Sequence, residues 1–207
     1  MRIGLFGGSF DPVHQGHRAL ADQALRECGL DELRWIPAGQ PWQKPRRLAD
    51  ADHRLAMIRL AMGPDPRQRL DERELRRTGP SYTLDTVREL QAEHPGATLV
   101  LILGEDQLAN LPTWHGWQAL AAAVTLAVAT RGGREPVAPP ALAAVPHHLH
   151  RLAMPAVPAS STEARERLER GEPAAALVPA LVSAAVAGYI DRHGLYRAAL
   201  ERNPSGN

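Results

Sequence analysis

Short apolar runs alternate along the chain with longer segments whose apolar residues recur every three or four positions. The first run, Arg2-Ile3-Gly4-Leu5-Phe6, ends at Gly7-Gly8 and predicts a strand. Ser9-Phe10-Asp11-Pro12-Val13 then reads as a turn-rich link. Over residues 16–28, Leu20, Ala21, Ala24, Leu25 and Cys28 share one face of a 3.6-residue period. This spacing predicts an amphipathic helix, closed by Gly29 in the usual C-terminal position. Residues 33–37 predict the next strand, so the first 37 residues read as a βαβ unit, which requires a parallel pair.

The same pattern continues. Helices are predicted over residues 51–62 and from after Tyr82 to about 93, followed by strands over 97–103 and 124–130. Six prolines between Gly132 and Pro158 mark a long loop, with one short strand near 149–153. Helices are expected over 162–170 and 179–192, and the polar tail 201–207 is expected to be disordered. There is no internal repeat. The expected fold class is α/β: a doubly wound parallel sheet, Rossmann-like, in a single domain over 1–200, with ligands at the strand C-termini.

Composition narrows the chemistry. Lys and Arg number 24 against 23 Asp and Glu, so no global charge draws the chain to nucleic acid or an anionic membrane. No apolar stretch reaches the roughly 18 residues of a membrane span, and the first run is too short for a signal peptide. Cys28 is the only cysteine, which excludes an intramolecular disulfide and a Cys-based zinc site and points to a reducing, cytoplasmic setting. It lies on the apolar helix face and reads as core. Lys44 is the only lysine and follows Pro41-Trp42-Gln43, so there is no Walker P-loop. His147, His148 and His150 are expected in a solvated turn, and the nine arginines of 46–77 on a solvated surface.

The informative segment is Gly7-Gly8-Ser9-Phe10-Asp11-Pro12-Val13-His14-Gln15-Gly16-His17, where the first strand hands over to the first helix. Free N–H groups and the positive end of a helix dipole favour an anion there. Gly7 and Gly8 let backbone approach a ligand, and His14 and His17 share a face as paired donors for a polyphosphate. Far downstream, Ser160-Ser161-Thr162 with Arg165 places hydroxyls and a guanidinium at another helix start, a second anion-binding corner.

These two segments resemble the HxGH and Ser-Ser-Thr-x-x-Arg motifs of the nucleotidylyltransferase superfamily. The middle and end narrow the resemblance to the bacterial nicotinate-nucleotide adenylyltransferase family. Pro80-Ser81-Tyr82-Thr83, Gly104-Glu105-Asp106, Leu111-Pro112-Thr113-Trp114-His115 and Tyr189-Ile190 through Leu195-Tyr196 are similar to that family's segments, so residues 1–196 are covered. Gln43 stands where the family commonly has a histidine, and Ala164 where it has a branched apolar residue.

The resemblance implies adenylyl transfer from ATP to nicotinate mononucleotide, by direct in-line attack and without a protein nucleophile. It assigns catalysis to His14, His17 and Arg165. It assigns ATP to Gly7, Gly8, Ser9, Phe10, Gly104, Asp106, Ser161 and Thr162. Lys44, Thr83, Trp114 and His115 would take the mononucleotide, with Trp114 against the pyridine ring. Mg²⁺ is expected with ATP, and neither nucleic acid nor membrane as partner. Nicotinamide mononucleotide, pantetheine phosphate or a non-catalytic nucleotide sensor are the alternatives.

Overall fold

The computed structural model describes residues 1–39, 48–131, 134–155 and 157–197. Strand β1 (Arg2–Gly8) leads into helix α1 (Gln15–Glu27) and β2 (Glu32–Pro37), and α2 (Ala51–Ala61) precedes the short β3 (Gln68–Leu70). Next come α3 (Arg73–Arg76), α4 (Thr83–Glu93), β4 (Thr98–Gly104), α5 (Glu105–Asn110), α6 (Trp117–Ala123) and β5 (Thr125–Arg131). Strand β6 (His148–Met154) completes the sheet, and α7 (Ser161–Glu169) and α8 (Ala184–His193) follow.

The six strands lie in the order β3-β2-β1-β4-β5-β6, and every neighbouring pair is parallel. Alternation within each apolar run sends side chains to opposite faces, and helices cover both. Ile3, Leu5, Leu99, Leu101 and Leu103 meet Leu84, Val87 and Leu90 of α4 and Leu120 of α6 on one face. Phe6, Val100 and Ile102 meet Ala21 and Ala24 of α1, Ile58 of α2 and Leu168 of α7 on the other. At Gly4 a Cβ would fall 2.6 Å from Leu30 Cδ1 and 2.9 Å from Leu33 Cδ1, so the central strand needs glycine to admit those side chains. The chain leaves β1 towards β2 and later returns beyond it to β4. The strand order therefore reverses between β1 and β4, which opens a crevice at their C-terminal ends.

The doubly wound parallel sheet agrees with the sequence reading, and several details correct it. The last helix starts at Ala184 rather than 179, capped by Ser183, whose side chain accepts from Val186 N–H at 3.3 Å. Leu181 and Val182 are buried without being helical, which is why their apolar pattern looked like an extra turn. His148 and His150 lie exposed on strand β6, paired to Thr125 and Ala127 of β5, rather than in a turn. Strand β3 and helices α5 and α6 carry no periodic signal of their own. Lys44, Gln43 and the tail 201–207 lie outside the described residues.

Candidate active site

At the end of β1 the chain turns sharply over an aromatic floor. Phe10 takes a positive φ of 48°, and its fully buried ring sits 5.3 Å from the rings of both Phe6 and Trp35. A Cβ on Gly8 would lie 3.0 Å from that ring, so any other residue there would have to push the buried ring aside. The turn is braced from below. Arg54 is only 3% exposed, and its Nη1 donates to the carbonyls of Ser9 at 3.0 Å and Ala38 at 2.9 Å. Its Nε donates to Ala49 O at 3.1 Å. From α7, Ser161 Oγ donates to Pro12 O at 2.9 Å and Arg165 Nη1 to Asp11 O at 2.7 Å.

The turn delivers two histidines that cap α1 reciprocally. His14, the N-cap, accepts at Nδ1 from the His17 backbone N–H at 3.3 Å, and His17 accepts at Nδ1 from the His14 backbone N–H at 3.2 Å. This is the geometry of a capping box made from imidazoles. The rings stack with centroids 3.7 Å apart, and a Cβ at Gly16 would come within 3.0 Å of the His14 ring. Accepting at Nδ1 leaves the single proton of each neutral ring on Nε2, the edge away from the helix. Burial pushes the His14 pKa down from 6.5 to about 4, so at neutral pH it is an uncharged N–H donor.

Both rings line a cavity of about 850 Å³ at the C-terminal ends of β1 and β4. Across it, α4 begins at Thr83 with its first-turn N–H groups uncapped by any side chain among the described residues. The Tyr82 ring stacks on His115 with centroids 4.3 Å apart, and Trp114 lies beside them. Gly116 follows at a φ of +62°, where a Cβ would run into Leu84. Gly116→Ala is therefore expected to push residues 114–117 off α4, costing about 1–2 kcal/mol. Urea unfolding checks the stability, and faster hydrogen exchange of amides 114–117 checks the displacement.

The model of the family described as Cytidylyltransferase-like matches residues 5–167. The chain belongs to the cytidylyltransferase-like family. It is 52% identical over 195 residues to a probable nicotinate-nucleotide adenylyltransferase of Methylibium petroleiphilum, covering 94% of this chain and 92% of that one. To a probable enzyme of the same name from Bordetella petrii it is 50% identical over 201 residues, covering 95% and 99%. A solved structure of Plasmodium falciparum nicotinic acid mononucleotide adenylyltransferase complexed with NaAD shares the fold, with a TM-score of 0.78 at 21% identity over 94% of this chain and 97% of that one.

Within this cytidylyltransferase-like fold, eleven of the residues singled out in the sequence line the one cleft: Gly7, Gly8, Ser9, His14, His17, Thr83, Gly104, Asp106, Trp114, His115 and Ser161. Phe10, Thr162 and Arg165 are not part of its lining. Phe10 belongs to the floor. Arg165 is 9% exposed and engages Asp11 O and, at 3.1 Å, Thr162 Oγ1. Its guanidinium thus supports the loop from underneath instead of reaching into the cleft, because the α7 N-terminus packs directly on residues 11–12. Arg54 corrects the reading of the 46–77 arginines as a solvated surface, since it is core. Asp11 was missed as a buried hub. Its place inside the glycine-rich motif, three residues before His14, was the available signal, whereas its 0% exposure shows only in the structure.

Proposed function

We infer that the chain transfers the adenylyl group of ATP to nicotinate mononucleotide, giving nicotinate adenine dinucleotide and pyrophosphate, a step of NAD biosynthesis. The observation that carries this reading is the half-identity over nearly full length to nicotinate-nucleotide adenylyltransferases. The meeting of His14, His17, Trp114 and His115 in one cleft supports it.

The mononucleotide phosphate oxygen attacks the α-phosphorus in line, and the bond to the bridging oxygen of pyrophosphate breaks. Catalysis then consists of positioning and neutralising charge. His14 and His17 donate from Nε2 to phosphate oxygens, where negative charge grows as pyrophosphate leaves. Backbone N–H groups of Gly8 and Ser9 and the start of α1 add to that site. Gly104 and Asp106 hold the adenosine ribose, and Ser161 and Thr162 the far end of the triphosphate. Arg165 acts through the loop it supports.

On the other side, Trp114 offers its face to the pyridine ring. Backbone N–H groups near Thr83 and His115 receive the carboxylate, where an amide would set an NH₂ donor against donors. Lys44 meets the mononucleotide phosphate. Mg²⁺ would come with ATP and would supply charge neutralisation at the triphosphate. Among the described residues no three His, Cys, Asp or Glu side chains gather to hold a resident cation. A cytoplasmic setting fits the free, buried Cys28, and no helix among the described residues is long and apolar enough to cross a membrane.

The test is pyrophosphate release from ATP with nicotinate mononucleotide, nicotinamide mononucleotide and phosphopantetheine in parallel. Fast release with the first alone is expected, and no release with it sinks the substrate assignment.

The neutral His14 makes a separate prediction. Between pH 4 and 6.5 the unfolded chain binds a proton at His14 that the folded chain does not. Its contribution to stability is therefore complete above pH 6.5 and lost as the pH falls towards 4. Urea titrations across that window should show a steep fall in stability that His14→Asn flattens. An identical slope in the variant would mean that His14 titrates normally in the fold.

A further inference from the structure

We propose that Tyr196, at the far end of the chain, is a positioning residue for the triphosphate loop: its hydroxyl holds Asp11 and so sets the placement of His14. The proposal depends on the adenylyl-transfer reading only for its kinetic test.

The argument starts at Asp11, which is fully buried three residues before His14. Its Oδ1 accepts from Tyr196 Oη–H at 2.7 Å and from the Ala49 backbone N–H at 3.2 Å. Its own carbonyl accepts from Arg165, and the Arg54 guanidinium that grips Ser9 O also interacts favourably with its charge. One carboxylate thus ties together the phosphate-loop turn, the approach to α2 and the chain end. Buried charge of this kind persists only where such partners satisfy it.

Tyr196 reaches Asp11 because the chain reverses after α8. Gly194 takes a φ of 60° and Leu195 N–H donates to Ile190 O at 3.1 Å, after which Tyr196 itself adopts a φ of 63°. Non-glycine residues rarely take that conformation, and here it turns the ring inward against the core on the α1 side of the sheet. A tyrosine needed for packing alone would not require its hydroxyl 2.7 Å from the hub of the catalytic turn.

Tyr196→Phe keeps the ring and removes only the donor. Kinetics on the full chain should show kcat/KM for ATP reduced about tenfold, with the KM for nicotinate mononucleotide unchanged. The thermal midpoint should fall by no more than about 4 °C. In Asp11→Ala the additional Tyr196→Phe change should cost nothing further, because the interaction is already gone. Hydrogen exchange of amides 9–17 should quicken in Tyr196→Phe while those of 184–193 hold. This readout needs no substrate, so it decides the proposal even if wild-type protein releases no pyrophosphate with the mononucleotide. Unchanged exchange over 9–17 overturns the proposal, as does quickened exchange in α8 as well, which would make Tyr196 a structural anchor. Additive kinetic losses in the double variant overturn it too.

Discussion

His17→Ala is expected to lower kcat by about 10²–10³, with the KM for ATP moving far less. In the proposed reaction the imidazole's Nε2–H would donate to oxygens whose negative charge increases as pyrophosphate departs, so its loss would weigh on the transition state more than on the bound ground state. The same substitution also removes half of the reciprocal cap, because His17 Nδ1 accepts from the His14 N–H. That loss costs about 1 kcal/mol of stability and frees the His14 turn. His17→Asn separates the two effects. Its side-chain oxygen can replace Nδ1 as the cap acceptor, while its amide is too short to reproduce the Nε2 donor. Asparagine should therefore restore the thermal midpoint and leave kcat low. Turnover within threefold of wild type in the alanine variant would remove His17 from the chemistry.

Legibility in the sequence followed burial. The strands that flank the cleft, β1 and β4, are apolar runs buried on both faces, and they stand out with no alignment at all. The histidine pair is legible because it sits where a strand must hand over to a helix, and backbone geometry there favours an anion whatever the family. Strand β3 is different. Gln-Arg-Leu carries no strand signal, and Gln68 is buried by virtue of its bond to Trp35 Nε1 at 2.8 Å, a partner 33 positions away. Helix α6 is hidden inside a run rich in alanine, where every face is apolar and no period can show. Leu181 and Val182 misled in the opposite sense, since a core position reached by a turn looks like one more helical residue.

The loop's supports were hidden for a more general reason. An arginine side chain is read as solvated by default, because burying a guanidinium is costly unless carbonyls and a countercharge await it. For Arg54 they come from Ser9, Ala38, Ala49 and Asp11, three of them outside its own neighbourhood in sequence. The resemblance assigns Arg165 to catalysis at an anion-binding corner, a role that says nothing of its depth. In the fold its guanidinium lies under residues 11–12, on Asp11 O and Thr162 Oγ1.

Arg54→Ala is accordingly expected to be the most destabilising single change around the site, costing about 3–5 kcal/mol, the range for breaking a buried charge pair by removing one partner. Three carbonyls lose their donor at once, in a place that is 3% exposed and where water cannot readily replace it. In a domain of this size such a loss lowers the thermal midpoint by roughly 10–15 °C. Asp11 stays buried with less compensation, so the turn carrying His14 should loosen and turnover should fall alongside stability. Arg54→Lys tests whether charge or geometry matters more. An ammonium restores a positive charge near Asp11 but lacks the planar fork that reaches Ser9 O and Ala38 O from one nitrogen and Ala49 O from another. Lysine should thus recover part of the stability and little of the turnover. A loss below about 1 kcal/mol in Arg54→Ala, within the range of ordinary surface changes, would mean that strand β1 and helix α1 hold the turn without help from beneath.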